Sequence, residues 1–494
     1  MRARDDRSTE TAAAIDISNT YNQKGKTMKM CLPALKKCVP AFLGLSLLAS
    51  ASIAHAAPKV GVSVANYMIA TWPNLDDTTC GVNCFNLTYS TVPATGVPKY
   101  WEYTNGVPLM GVWKLYEKTG NVAYYNYVKK FIDSKIDANG NIDYTFGGTA
   151  VRDPHIQDTM QPGMILPALY KKTKDPRYLQ AMVNLRAVFN TMSVNPEGAW
   201  WHKPTYPNQQ WLDSTYMSLP FLSMYAKDYA DKQVKGDAAV SFNMITKQLK
   251  LMSDNTLNAT KGLYYHGWND SADGVWAGLK SPPAIGATTS PVLWSRSIAW
   301  LYVGVIEVLE NLPEDHPDRN KLRQIVKNIS IALEKYQDPK TGLWNQVIDV
   351  TNDKLPANGG YPNEAVPALP NWNETSASAL FVYGLSKAER ADILAPHYRE
   401  VADRGWAGVK KQVEIAGTSV KVHGTVVGLS VNGSYNAYVN ADFRTDLTTG
   451  DLPAPAGCTQ VPYVTPAANC KYIYVRDNVP QGIGAVMLAA SEME

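Results

Sequence analysis

Phenylalanine is scarce: the 494 residues hold 9 Phe against 28 Tyr and 13 Trp. Core packing alone would use more Phe. Rings with a polar handle suit surfaces that are half apolar and half wet, as a sugar-binding cleft is. An excess of one charge is also lacking, since 47 Lys and Arg offset 44 Asp and Glu to a net +3. No basic patch points to nucleic acid, and no acidic tail points to a charged partner. Histidine is limited to seven scattered positions, which gives a metal site little support. Missing as well are a GxSxG elbow, an HExxH pair, a Walker loop and a dinucleotide fingerprint opening a helix. These absences weigh against a serine hydrolase, a metalloenzyme and an NTPase, and they imply no cofactor.

Cysteine is sparse, with six residues, and its placement fits export. Lys29, Lys36 and Lys37 form a positive region, Val39 to Leu48 an apolar run, and Ala54-His55-Ala56 a small-x-small cleavage pattern. This reads as a signal peptide ending near Ala56, and the run is too short to span a membrane. The expectation is a periplasmic or secreted protein with no membrane segment after cleavage. Residues 1–27 precede a plausible start at Met28. The mature chain then keeps Cys80, Cys84, Cys458 and Cys470. In an oxidising compartment their spacing favours local disulfides, Cys80–Cys84 and Cys458–Cys470, although four cysteines permit three connectivities. Zinc held by all four is the alternative, without a CxxC pair to support it.

Long hydrophobic runs are otherwise absent, and from about residue 95 apolar positions recur with helical spacing. Leu109, Val112, Trp113 and Tyr116 show it, as do Ile298, Leu301, Tyr302, Val305 and Leu309. Tyr116-x-x-Thr119 followed by Tyr124 recurs 54 positions on (170 − 116) as Tyr170-x-x-Thr173 followed by Tyr178, and Tyr225 opens a third copy. A period of this size means stacked helical hairpins, of which roughly six would fill the chain. The expected fold is therefore all-α, an (α/α)6 toroid over residues 96–494, with an open solenoid as the competing architecture. Residues 57–95, rich in Thr, Asn and Pro, read as an extended N-terminal arm. Residues 405–475, where Val recurs among Thr, Gly and Ser between Val413 and Val431, read as a small β-rich insertion before the last helix.

Polar and aromatic residues gather where turns enter helices. The richest stretch runs from Trp200 through His202, Lys203, Tyr206 and Trp211 to Asp213. Others are Asp158 ahead of Pro162-Gly163, Tyr265-His266-Gly267-Trp268, Trp294-Ser295-Arg296, and Asn371 to Thr375. In a toroid such entries face one end of the ring.

As a set these motifs resemble glycoside hydrolase family 105, the unsaturated rhamnogalacturonyl hydrolases, related to the family 88 unsaturated glucuronyl hydrolases. The resemblance is carried by Tyr206-Pro-Asn-Gln-x-Trp-Leu-Asp213 with His202-Lys203 ahead of it, Tyr265-His266-Gly267-Trp268 and Trp294-x-Arg296-Ser297. Glu374-Thr375-Ser376-Ala377, Asp477-Asn478 and Gly482-x-Gly484 complete it, in order over residues 95–490. It implies an (α/α)6 fold and release of a terminal 4,5-unsaturated uronic acid from lyase-generated oligosaccharides. In that chemistry C4 of a vinyl ether is protonated, water adds at C5, and the resulting hemiketal opens and expels the remaining sugars, unlike displacement at the anomeric carbon.

The resemblance makes Asp213 the general acid and base, with Trp211 and Tyr216 as apolar neighbours expected to raise its proton affinity. A helix N-terminus opposes that, and a simple N-cap is the plain alternative. Asp158 matches the family's second carboxylate, with a helix cap as its alternative. Arg296 is expected to clamp the uronate carboxylate beside Trp294, or else to serve a structural ion pair. His202, Lys203, Trp211, His266 and Trp294 complete the expected substrate contacts. The sequence departs from the family at Ser214, where relatives usually have Gly, and at Asn269, where Asp often stands. Residues 273–292 and 405–475 read as insertions that bear on the leaving sugar. A toroid-fold lyase or epimerase and a non-catalytic sugar-binding protein are the other classes these residues allow.

Overall fold

The computed structural model describes residues 59–75, 101–146, 150–271, 288–290, 293–350, 371–426, 441–442 and 473–494. All of them lie within the unit Ala56–Glu494. The leader, the four cysteines Cys80, Cys84, Cys458 and Cys470, most of 273–292 and most of 427–472 lie outside the described residues.

Twelve α-helices of seven residues or more occur among the described residues. The first half contains α1 (Val60–Thr71), α2 (Tyr103–Thr119), α3 (Val122–Lys135), α4 (Leu166–Thr173), α5 (Pro176–Val188) and α6 (Leu219–Tyr225). The second contains α7 (Asp237–Thr256), α8 (Ser295–Leu309), α9 (Arg319–Tyr336), α10 (Thr375–Arg390), α11 (Tyr398–Lys411) and α12 (Pro480–Met493). A 3₁₀ segment, Gln157–Ile165, leads into α4, and a one-turn helix, Ser214–Met217, leads into α6.

Sequence pattern sorts these helices into two layers. Inner elements are buried on every side: all of α8, α12 from Pro480 to Ala490, and the whole 3₁₀ segment that leads into α4. Odd-numbered helices carry a single stripe, such as Leu322, Ile325, Val326, Ile329 and Leu333 on α9. A helix apolar all round belongs inside, and one with a single stripe belongs outside. Around the inner layer α2 packs on the 3₁₀ segment, that segment on α6, α6 on α8, α8 on α10, α10 on α12, and α12 on α2 again. The result is a closed (α/α)6 toroid. Its closure is tight: a Cβ on Gly484 would sit 2.7 Å from the Pro108 nitrogen, so only glycine lets α12 approach α2 this closely.

Two sequence expectations need correction. Residues 60–71 are helical, not extended, because Val60, Val64, Ala65 and Met68 line one buried face. The Thr- and Pro-rich remainder of 57–95 had masked that spacing. The sixth hairpin is thus made by the two ends of the described chain, α1 packing against α12. The β-rich segment also starts later than 405. Val401, Ala402, Trp406 and Val409 continue the helical stripe to Lys411, and the first strand pair is Val413–Ala416 with Ser419–Val422.

The Glu494 carboxylate accepts hydrogen bonds from the Val60 nitrogen (2.8 Å) and the Gly61 nitrogen (3.1 Å). It therefore caps α1 across the ring closure, where a negative group is favoured by the free N–H groups of a helix start. Glu494→Ala is expected to lower stability by about 1 kcal/mol, as loss of an N-cap does. The shift in the urea midpoint at unchanged slope would show it.

Candidate active site

Each hairpin returns the chain, so the inner helices run in one direction and their N-termini share one end of the ring. Asp158 is the second residue of the 3₁₀ segment, Asp213 immediately precedes Ser214–Met217, Arg296 is the second residue of α8, and Glu374 precedes α10. The strand Gln209–Trp211 pairs antiparallel with Gly267–Asn269, setting Trp211 opposite Gly267. The Leu212 nitrogen then donates to the His266 carbonyl (2.9 Å). Two motifs 53 residues apart, from Asp213 to His266, are joined by this short sheet.

Asp213 is the centre of the group. Its Oδ2 lies 2.8 Å from His266 Nε2, with the His266 side chain fully buried and Asp213 16% exposed. Asp213 makes no side-chain capping bond, so the simple N-cap reading does not describe it. Burial pushes the carboxyl up, but the charge and hydrogen bond of His266, then His202 and Arg296, outweigh it, and its pKa is lowered. This corrects the expectation of a raised value in the free protein. Apolar surroundings are fewer than expected: Tyr216 stacks instead on Trp300 (5.0 Å).

Asp158 is nearly buried, with Oδ2 2.7 Å from Lys203 Nζ and Oδ1 3.6 Å from His202 Nε2. Burial raises its proton affinity, while Lys203 and His202 together bring the net shift downward. Lys203, 23% exposed, moves the other way, because Asp158 and Glu102 outweigh its own burial. His202 is buried, and that burial pushes its pKa down to about 4, so the imidazole is neutral. Its ring stacks on Trp211 at 4.4 Å, and Tyr206 stacks on the same indole at 5.0 Å.

Trp294 is buried and lies against the His266 ring at 4.8 Å, with the Arg296 guanidinium 5.0 Å from its centroid. Arg296 donates to the Val426 carbonyl and to Ser376 Oγ (3.4 Å), and stands 3.9 Å from Glu374. The structure thus gives Arg296 a structural role in holding the strand Thr425–Val426. Its charge also reaches Asp213. Glu374 caps α10 by accepting from the Ala377 nitrogen (2.6 Å) and also accepts from the Val426 nitrogen (3.1 Å).

All eight residues singled out from the sequence belong to this end of the ring, but sequence reasoning missed two neighbours. Glu102, just before α2, bonds Arg152 (2.9 Å), which follows the short hairpin Thr145–Phe146 and Ala150–Val151. Glu102 is buried and its proton affinity is raised, by burial first, with Arg152 opposing and Asp158 adding. An acid at a helix entry, Trp101-Glu102-Tyr103, was a visible signal of the same kind as Asp213. Among the described residues no group of three or more His, Cys, Asp and Glu gathers as a metal site, and no helix is long and apolar enough to cross a membrane.

Comparison with known proteins places this architecture. The model of Glycosyl Hydrolase Family 88 matches residues 84–450, and the chain belongs to that family. A family 105 glycoside hydrolase of C. acetobutylicum superposes with a TM-score of 0.65 at 25% identity, over 88% of this chain and 99% of that one. The unsaturated rhamnogalacturonyl hydrolase YesR of Bacillus subtilis is 23% identical over 255 residues, 50% of this chain and 64% of the relative. A 24.9 kDa protein in the picA locus of Rhizobium radiobacter is 31% identical over 178 residues, 36% of this chain and 63% of the relative. This chain spans just under two thirds of the length of these two relatives.

The Lys203–Asp158 pair yields a stability test. Lys203→Met leaves a buried carboxylate without its main partner. A fully buried pair would lose roughly 3–5 kcal/mol; partial exposure of Lys203 reduces the expectation to about 2 kcal/mol at pH 7. Asp158 is depressed in the folded protein, so its contribution is present above the unfolded value of about 3.9 and disappears as pH falls through the folded value. Urea titrations of both proteins across that range should converge at the acid end.

Proposed function

We propose that this protein is an exported hydrolase that removes a terminal 4,5-unsaturated uronic acid from lyase-generated oligosaccharides, with rhamnogalacturonan fragments as the first substrate class to test. One observation carries the reading: Asp213, partly open to solvent, is held by a fully buried His266 at the entry end of the ring. Family membership and the name of the Bacillus subtilis relative support the chemistry. Export rests on the Lys-rich, apolar and Ala54-His55-Ala56 segments of the N-terminus.

In this reaction Asp213 gives its proton to C4 of the vinyl ether, and positive charge develops at C5. Water adds there and returns a proton to the Asp213 carboxylate, which acts in turn as general base. The hemiketal at C5 opens to a ketone, and the resulting hemiacetal at C1 releases the remaining oligosaccharide. The uronate carboxylate meets Lys203, the partly exposed cation of the site, while the buried Arg296 holds the strand Thr425–Val426. Tyr206, half-buried and stacked on Trp211, supplies ring surface for the sugar.

The deciding assay follows ultraviolet absorbance of the unsaturated uronate in lyase-digested rhamnogalacturonan, with digested glycosaminoglycan and ulvan in parallel. Loss of absorbance on one of them establishes the reaction and its substrate class. New absorbance from intact polymer would indicate a lyase instead. Asp213→Asn should fold normally and lose at least about 100-fold in kcat, the low end for removing a general acid. A near-normal rate in that variant would remove Asp213 from the mechanism.

A pH prediction follows from the same geometry. Asp213 must be protonated to act, and His266 first, with Arg296 adding, favours its ionised form in the free enzyme. Therefore kcat/KM should fall as pH rises above the Asp213 value. His266→Gln keeps a hydrogen-bond donor but removes the basic ring, so this limb should move to higher pH. An unmoved limb would assign the titration to another group.

A further inference from the structure

Ser214 is one of the two positions at which the sequence departs from the family pattern, and the structure gives its side chain a definite task. Its Oγ lies 2.8 Å from Nδ1 of His202. Both groups are buried. His202 is fixed from its other sides as well. Its backbone nitrogen donates to the Gln209 carbonyl (2.7 Å), its carbonyl accepts from the Gln157 nitrogen (3.1 Å), and its ring stacks on Trp211. Ser214 is held too, since its carbonyl accepts from Ser218 Oγ (2.9 Å), which also donates to Gln157 Oε1 (2.8 Å).

A neutral imidazole has one N–H and one lone pair, and a serine hydroxyl can bond to either. The far nitrogen biases the choice. Nε2 faces Oδ1 of Asp158 at 3.6 Å, an electrostatic contact longer than a full hydrogen bond. Lys203 holds the other oxygen of Asp158 at 2.7 Å. A lone pair on Nε2 would face an ionised carboxylate and be repelled, whereas an N–H is attracted. The proton therefore belongs on Nε2, and Nδ1 is left as acceptor for the serine.

We propose that Ser214 is a positioning residue whose hydroxyl donates to Nδ1 of His202 and so holds the imidazole as the Nε2–H form aimed at Asp158. Both oxygens of Asp158 then face donors, Lys203 on one side and His202 on the other. The two carboxylates of the site, Asp158 and Asp213, are linked through one oriented ring and the residue that follows Asp213. With glycine or alanine at 214 the ring would keep its stacking but lose the donor that satisfies Nδ1 in this form, leaving the Asp158 contact at 3.6 Å alone to favour the Nε2–H tautomer. The burial that pushes His202 down to about 4 agrees with a neutral ring throughout the working range. For turnover the proposal rests on the hydrolase reading above; for the tautomer it rests on geometry alone.

The test uses the full chain labelled with ¹⁵N-histidine. The His202 resonances are identified by their loss in His202→Gln, and the tautomer is read from the two ring nitrogen shifts in wild type, Ser214→Ala and Ser214→Thr. Wild type should show the proton on Nε2. Ser214→Ala should shift toward a mixture, and Ser214→Thr should restore the wild-type pattern. On the unsaturated uronate that proves active, Ser214→Ala should lower kcat about tenfold, the scale of one net hydrogen bond, with KM changed less than about twofold. Ser214→Thr should recover kcat. The proposal is overturned by a wild-type proton on Nδ1, by an unchanged tautomer in Ser214→Ala, or by a changed tautomer with unchanged kcat. Because the tautomer is read on the free protein, a wrong substrate reading and a wrong role for Ser214 give different results.

Discussion

The direction of the inner helices governs the site. A helical hairpin returns the chain to its starting level, so successive inner helices are parallel and their N-termini collect at one end. Each start leaves N–H groups without intrahelical partners and carries roughly half a positive charge. Acids stand at four of these entries: Glu102, Asp158, Asp213 and Glu374. Carboxylates gathered this closely repel one another, and the cations Arg152, Lys203 and Arg296 lie between them. The ring thus supplies the charge pattern before any particular residue is assigned a reaction.

Within that pattern Asp213 is under two opposed demands. On the proposed reading it has to carry a proton, yet the free protein favours its ionised form, with His266 first among the groups that outweigh burial. On the proposed reading the substrate resolves this opposition. A uronate carboxylate brought in beside Lys203 adds negative charge near Asp213, and the sugar displaces water from the carboxyl. Both changes raise its proton affinity, by compensation of charge and by desolvation. The acid is then strongest in demand for a proton when a uronate is present, a form of selectivity that a neutral sugar does not evoke.

How much of this was legible in the sequence depended on what kind of signal each residue left. Inner and outer helices were readable because burial on all sides and burial on one stripe leave different apolar spacing, as α8 and α9 show. Asp213, His202 and His266 were readable because they sit in aromatic-rich motifs at helix entries. Helix α1 was obscured by the composition around it, although Val60, Val64 and Met68 carried the spacing. Glu102 stood at an aromatic-flanked helix entry too, but its importance arises from partners at positions 152, 158 and 203, which only the fold brings to it. The lowered affinity of Asp213 was out of reach as well. It is a balance between burial and three neighbours, two of them brought in from positions 266 and 296, and its sign depends on distances that folding alone sets.

The far end of the same helices shows what the entry end would be without chemistry to perform. From Arg296 to Glu307 is eleven residues of α8, roughly 16 Å at the helical rise. There Glu307 accepts from Lys387 (2.6 Å) and Tyr383 (2.7 Å), and Lys387 also reaches Glu310 (2.9 Å). Lys387 lies in the last turn of α10, where a cation meets the negative end of the helix. Glu307 and Lys387 are both buried, and each favours the other's charged form over the opposing effect of burial. Charge is matched there by partners close at hand, and neither member is left open. At the entry end, by contrast, Asp213, Lys203 and Arg152 keep 16%, 23% and 26% of their side-chain surface. Burial closes one ion cluster into a structural tie, while residual exposure leaves the other open to solvent, as the proposed reading requires of a site that exchanges a partner for substrate.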